Sequence, residues 1–300
     1  MKNITFGNQY ENTIEIEKDG KRIRFYAVDL VFKQHDKINR LSYTIRVQYH
    51  KQIDRSSWIV SMNKSDVYLN NKIPHTYKQR LDLEFGINVL YPLQMVVNDK
   101  GNLKWITNNS YKALLKRYEI FKETSLKENT GIYIENYLTS LEKKIHSKKL
   151  LTHHFQTDWF WGLYFQPVRG HTKNTSCTLT LPFETYKEPL AYKGLILPIK
   201  EQSYYNTNQV KFKGTITPNP YSKYYANGKG KGIINVLYDF DIDTHMIQNI
   251  TANHQVLNNN KSVIKDVVIK ILHLKEKDLE SKPLKTKRSF SEKMADWLNK

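Results

Sequence analysis

Between Leu41 and His50 the side chains alternate without a break. Leu41, Tyr43, Ile45, Val47 and Tyr49 are apolar or aromatic; Ser42, Thr44, Arg46, Gln48 and His50, between them, are polar. Successive side chains of a strand point to opposite faces, so a period of two over ten residues specifies a strand with one dry and one wet face. Slipping the pairing by one residue would turn the whole apolar set to water. A strand of this kind needs antiparallel neighbours that share its dry face. Ile14 and Ile16 alternate with Glu15 and Glu17 ahead of the hairpin signal Asp19-Gly20, and Trp58 to Leu69 and Ile87 to Val97 read as further strands.

The period then changes. Asn108, Asn109 or Ser110 can cap a helix carrying Tyr111, Leu114, Leu115, Tyr118 and Phe121 on one face. A second helix carries Ile134, Tyr137, Leu138, Leu141 and Ile145. A third runs from about Lys149 to Phe165, and Pro167 and Gly170 end the helical block. Beyond it the alternation returns in Cys177/Leu179/Leu181, in Val210/Phe212/Ile216 and in Ile234/Val236/Tyr238/Phe240/Ile242. Val267, Ile269 and Ile271 form one face of a last strand, with Val268, Leu272 and Leu274 behind them. Apolar on both sides, that strand is expected to be central or covered by a helix.

Five letters occur twice. Ile87-Asn88-Val89-Leu90-Tyr91 returns as Ile234-Asn235-Val236-Leu237-Tyr238, and each copy leads to a turn opening on Asp, Asp99-Lys100-Gly101 or Asp243-Thr244-His245. Leu103/Ile106/Thr107 and Ile247/Ile250/Thr251 then correspond. The pattern predicts a duplicated strand–turn–strand unit, one on each side of the helices. The expected fold class is therefore α+β: mainly antiparallel sheets in two related β units, which curved half-barrels would accommodate, with an inserted helical block and a short C-terminal helix. Its parts are a β region over 1–108, a helical insert over 109–166, a second β region over 167–275, and over 276–300 a basic tether with an amphipathic helix.

With 39% hydrophobic and 12% aromatic residues in 300, the chain has enough apolar material for a core. The single cysteine, Cys177, excludes an internal disulfide. No signal-peptide h-region and no membrane-length apolar run is visible, which makes a cytoplasmic protein the expectation. The formal charge of +18 suits an anionic partner. The excess of Lys over Arg is also what an AT-rich genome writes, and sequence-specific DNA readers rely on Arg.

Each catalytic-looking motif has a plainer reading. Asp239, Asp241 and Asp243 share a strand face and could hold Mg²⁺ or Ca²⁺, or simply be a solvated face. His154 and Asp158, four apart, make an incomplete metal start amid packed aromatics. Cys177 near His171 invites a thiol nucleophile, but it lies in phase with Leu179 and Leu181. Gly228-Lys229-Gly230-Lys231-Gly232 precedes a strand, not the helix a phosphate loop requires. No catalytic residue, metal ligand or cofactor is assigned from these.

Two surfaces read better as binding elements. Tyr204, Tyr205, Tyr221, Tyr224 and Tyr225 are interleaved with Lys229, Lys231 and other lysines, which suits single-stranded nucleic acid or a protein interface. Phe290, Met294, Trp297 and Leu298 share one face of the terminal helix, too short to be stable alone and suited to a groove on its own domain or a partner.

The helical block ending in Asp158-Trp159-Phe160 and Leu163-Tyr164-Phe165, followed by β segments, resembles uncharacterised β-rich proteins of Bacteroidota, some encoded among genes for type VI or related contractile injection systems. The resemblance implies an accessory or structural role and transfers no catalytic residue. The sequence thus points to a non-enzymatic binding protein: an adaptor, chaperone or structural component of a bacterial multiprotein assembly, with a protein partner, an acidic one suiting the basic chain. The alternatives are a nucleic-acid-binding protein and a metal-dependent hydrolase or nuclease; oligomeric state stays open.

Overall fold

The computed structural model describes residues 3–5, 13–15, 22–34, 36–54, 57–98, 101–169, 171–182, 190–199, 207–216, 231–257 and 260–274. Two short strands, β1 (Asn3–Thr5) and β2 (Thr13–Glu15), pair with each other in a separate two-stranded sheet among the described residues. Then come β3 (Arg22–Gln34), β4 (Lys37–Asp54), β5 (Ser57–Leu69), helix α1 (Tyr77–Glu84) continued by a π-helical turn (Phe85–Val89), β6 (Leu93–Asn98) and β7 (Leu103–Ile106). Helices α2 (Asn108–Glu128), α3 (Ile132–Ile145), α4 (Lys148–Gln156) and α5 (Trp159–Tyr164) follow. The described residues end with β8 (Thr175–Leu181), β9 (Leu190–Ile199), β10 (Thr207–Ile216), β11 (Lys231–Asp241), β12 (Ile247–Leu257) and β13 (Val263–Leu274).

Strands β3 to β7 form one antiparallel meander and β8 to β13 a second. The last strand of the second meander pairs with the first strand of the first, β13 with β3, and fuses them into one eleven-stranded sheet ordered β7-β6-β5-β4-β3-β13-β12-β11-β10-β9-β8. The helical block leaves one edge of this sheet and the chain re-enters at the other. The last strand is sixth of eleven, central as its two apolar sides predict. Val267, Ile269 and Ile271 are buried, whereas Leu272 on the reverse face is 42% exposed.

The alternation that opens the sequence reading holds in the structure. Tyr43, Ile45, Val47 and Tyr49 are buried, and along β11 Gly232, Ile234, Val236, Tyr238 and Phe240 are buried while residues between them are only partly covered. These inner faces pack against the helices in one core. Gly194 and Gly214 lie opposite each other on β9 and β10. A Cβ on Gly194 would come within 2.1 Å of the Lys213 carbonyl oxygen, so only glycine permits that backbone approach.

Three readings are corrected. The first copy of the repeated pentapeptide is not a strand: Ile87 to Val89 lie in the π-helical turn, with Phe85 and Val89 buried, while Ile234 to Tyr238 are in β11. Thr76 starts α1 with a capping box to Gln79. Arg117 of α2 closes its continuation, donating from Nε to the Val89 carbonyl at 2.9 Å and from Nη2 to that of Pro92 at 3.0 Å. In the hairpins that follow, β7 begins at Leu103 and β12 at Ile247, Ile106 and Ile250 are both fully buried, and Gly101 and His245 both have positive φ.

Second, the helix expected from Lys149 to Phe165 is two helices. Asp158 caps α5, its Oδ1 accepting from the Phe160 and Trp161 N–H groups at 2.8 and 3.3 Å, which holds it outside the regular turn. Third, Ile242 does not extend the buried face of β11; it lies in the turn after it, exposed. Among the described residues, no helix is long and apolar enough to cross a membrane.

Candidate functional site

All six residues of α5 are buried. The helix is held from several directions: Tyr26 of β3 meets Tyr164 edge-on at 5.3 Å, Trp159 lies 5.6 Å from the His254 ring of β12, the Tyr238 hydroxyl of β11 donates to the Leu163 carbonyl, and the Trp161 indole donates to the Tyr91 hydroxyl at 2.9 Å. Near the C-terminal end of α5 this apolar packing gives way to charge.

There, where β3 and β12 begin and β11 and β13 end, polar groups form a ring of short contacts. Arg24, 9% exposed, directs Nη1 at His273 Nδ1 and donates from Nη2 to Thr244 Oγ1, both at 3.0 Å. His273 Nδ1 also lies 3.0 Å from Gln248 Oε1, and Gln248 Nε2 donates to Asp241 Oδ2 at 2.6 Å. Asp241 Oδ1 accepts from the Thr244 N–H at 2.8 Å, and Thr244 returns the ring to Arg24. A guanidinium only donates. If Nδ1 accepts from Arg24 it has no hydrogen for Gln248, so its two short contacts are alternatives set by the imidazole tautomer. Burial on its own would raise the Asp241 carboxyl; the hydrogen bonds from Thr244 and Gln248 and the Arg24 charge bring it below its ordinary value.

Beside the ring stands a group of tyrosines. The Tyr26 hydroxyl donates to the Ile247 carbonyl at 2.9 Å and accepts from Tyr164 at 3.3 Å, and burial pushes it up to about 12. Arg169, half-buried in the segment after α5, lies against Tyr49, Tyr164 and Tyr26. Tyr49 is 6% exposed, and its hydroxyl has no acceptor among the described residues. Pairing registers place Tyr49, Arg24, Tyr26 and His273 on the same inner face of adjacent strands β4, β3 and β13.

The residues singled out from sequence do not form one site among the described residues. Tyr204, Tyr205, Tyr221, Tyr224, Tyr225 and Lys229 lie outside the described residues, as do Phe290, Met294, Trp297 and Leu298. Lys231 opens β11 and is exposed. The acidic row does not converge. Asp239 accepts from Gln209 and Asn249, Asp241 belongs to the ring, and Asp243 is exposed in the turn. The shared helix face of His154 and Asp158 is absent, because Asp158 caps α5. Cys177 is half-buried against the core, and burial raises its thiol; His171 bonds the Pro167 carbonyl. Among the described residues, Glu119, Glu142 and His146 come within reach of one cation, but Lys122 ion-pairs Glu142 at 3.1 Å.

No protein-family model and no curated protein matches the chain. One structural likeness is to a crystal structure of MucB in complex with the periplasmic part of MucA: 8% identity and a TM-score of 0.19 over 86% of this chain and 53% of that one. The chain thus spans about half of that neighbour's length, and the likeness is too remote to carry an argument. The polar ring is found only through the fold. Its members are 249 residues apart at the extremes, and the sequence signals for it are separate: Arg24 falls in phase with Tyr26, Val28 and Leu30 on the dry face of β3, while Asp241 stands in the acidic row and Thr244 in the turn after it.

Proposed function

We propose that this chain is a non-enzymatic binding protein whose partner is a protein, met on the outer face of the sheet. The observation that carries this reading is an apolar ridge across the central strand pair. Ile23 (45% exposed) and Leu272 (42% exposed) stand out of the wet face, with half-buried Phe25 opposite Leu274 and Ala27 opposite Leu272. Contiguous exposed apolar surface in the middle of a sheet face suits a partner better than water. The groups that could do chemistry are instead tied into caps, turns and amide ladders. An adaptor or structural role in a cytoplasmic bacterial assembly, such as a contractile secretion system, agrees with the family resemblance of the Trp159–Phe165 segment.

The half-barrel belongs to the same proposal. In sheet order β5 and β8 are eight steps apart, about 38 Å in a flat sheet at ~4.8 Å per step. Yet α5, only ~9 Å long, packs on β8, while its cap Asp158 acts electrostatically on Lys64 of β5. A sheet curled around α5 satisfies both contacts.

The test is affinity purification from the native host after nuclease treatment, with the whole chain, with Phe25→Glu/Leu272→Glu, and with residues 289–300 removed. Specific proteins lost from the ridge variant support the reading. A protein set unchanged by the ridge variant, or nucleic acid recovered alone, overturns it.

A further inference from the structure

We propose that the open edge of β8 is a docking site for an extended acidic segment of a partner protein, which adds to the sheet as a further strand. The eleven-stranded sheet has two edges, β7 and β8. They are built differently. β7 is four residues long, carries Lys104 and breaks register against β6 between Val96 and Val97. Short length, a lysine and an irregular register are devices that keep an edge from pairing. β8 lacks all three. Its seven residues, Thr175–Leu181, include no charge and no proline, and they run against β9 without a register shift.

The backbone groups on this edge follow from the ladder. In an antiparallel strand the N–H and C=O of one residue point to the same side, and the side alternates along the chain. The Thr180 carbonyl accepts from Gln166 Nε2 at 3.0 Å, and Gln166 belongs to the segment after α5, not to the sheet. The ladder to β9 begins and ends on the other set, at Thr175 and Leu181. Ser176, Thr178 and Thr180 therefore turn their backbone groups to the open side. All three residues are exposed, and Ser176 and Thr178 meet no backbone partner there among the described residues.

The charges around the edge decide what fits it. On the outer face Lys193 of β9 stands opposite Thr178, and Lys213 of β10 opposite Leu195. Both lysines are exposed, as is Lys173 just before β8. Over 171–182, 190–199 and 207–216 there is no carboxylate. Ser176 and Thr178 are small, so outward side chains of an added strand, about 10 Å from β9, can reach across them to Lys193 and to Leu195, itself 47% exposed. Carboxylates alternating with apolar residues suit this surface, whereas a second copy of the chain would bring lysines to lysines. The edge is separate from the ridge on β3 and β13, so either proposal can fail alone.

The experiment is fluorescence anisotropy of labelled eight-residue peptides titrated with the whole chain. The peptides are alternating Glu/Val, alternating Lys/Val, and Glu/Val with every backbone nitrogen methylated. Amide exchange over residues 174–182 is the second readout. Saturable binding of Glu/Val is expected, about tenfold tighter than Lys/Val, with slowed exchange in that segment and no binding of the methylated form. Thr178→Pro removes an N–H that faces solvent, which an edge strand tolerates; it is expected to keep the parent's Tm and lose the peptide. Lys193→Glu is expected to erase the preference for Glu/Val. Absence of saturable Glu/Val binding, equal binding of Lys/Val or of the methylated peptide, or unchanged affinity in Thr178→Pro overturns the proposal. If Thr178→Pro does not fold, the methylated peptide decides. A parent chain that dimerises and becomes monomeric in Thr178→Pro gives the edge to a second copy and overturns the proposal equally.

Discussion

Stability below neutral pH is expected to depend on one histidine. His254 on β12 is fully buried, its ring 5.6 Å from that of Trp159 and 5.9 Å from that of Tyr192. Burial, with a smaller contribution from Lys265, lowers its pKa to about 3, against about 6.5 in an unfolded chain. Between those values the unfolded state binds a proton that the folded state refuses. Stability is therefore complete above pH 6.5 and falls as pH drops toward 3. At about 1.36 kcal/mol per pH unit the loss is about 2 kcal/mol at pH 5, approaching about 5 kcal/mol near pH 3. Urea unfolding followed by tryptophan fluorescence at pH 7.5 and pH 5, for the parent and for His254→Leu, isolates this contribution. Loss of ring packing shifts the variant equally at both pH values. The carboxylates and the other histidines with lowered pKa, His154 and His245, remain in both proteins and cancel. The fall in unfolding free energy from pH 7.5 to pH 5 should be smaller by about 2 kcal/mol in His254→Leu. Equal falls in the two proteins, with equal urea dependence, would refute the reasoning.

Asp158→Ala removes the α5 cap and should lower stability by about 1 kcal/mol, read as a lower urea midpoint at unchanged slope. The two glycines Gly194 and Gly86 should respond in opposite ways. Gly194→Ala drives a Cβ into the Lys213 carbonyl and should abolish soluble folded protein, whereas Gly86→Ala meets nothing within 4 Å and should raise Tm, by up to about 1 kcal/mol of stability. Arg117→Met leaves the Val89 carbonyl without its donor and should cost about 1–3 kcal/mol, with faster amide exchange over residues 85–90 as the local signature.

The inner-face strands were legible because a period of two leaves little freedom: Tyr43 to Tyr49 and Ile234 to Phe240 fall where alternation puts them. The central position of β13 was equally legible, from the apolar residues on both its faces. Ile87 to Tyr91 was not, since the same five letters pack as a strand in one place and as a helical turn in another. What decides between them is distant: the Thr76 cap starts α1 and Arg117, from a later helix, closes it. Asp158 was misplaced for a related reason, because a helix continued through a residue and a helix restarted by it look alike in sequence until the N–H groups find their acceptor. The ring at Arg24 was beyond reach. Its parts are ordinary polar residues near strand ends, brought together only when β3, β13, β12 and β11 lie in that order.

The seam between β3 and β13 also sets an order of assembly. Phe25 waits for Leu274, 249 residues later. At 5–20 residues per second, a ribosome needs on the order of 10–50 s to cover that distance. For that interval the open side of β3 is a raw edge, with unpaired backbone groups on an apolar strand and the aggregation hazard such edges carry. The middle of the finished sheet is therefore its youngest part. A nascent chain of this design gains from a holding factor that occupies β3 until its own last strand arrives.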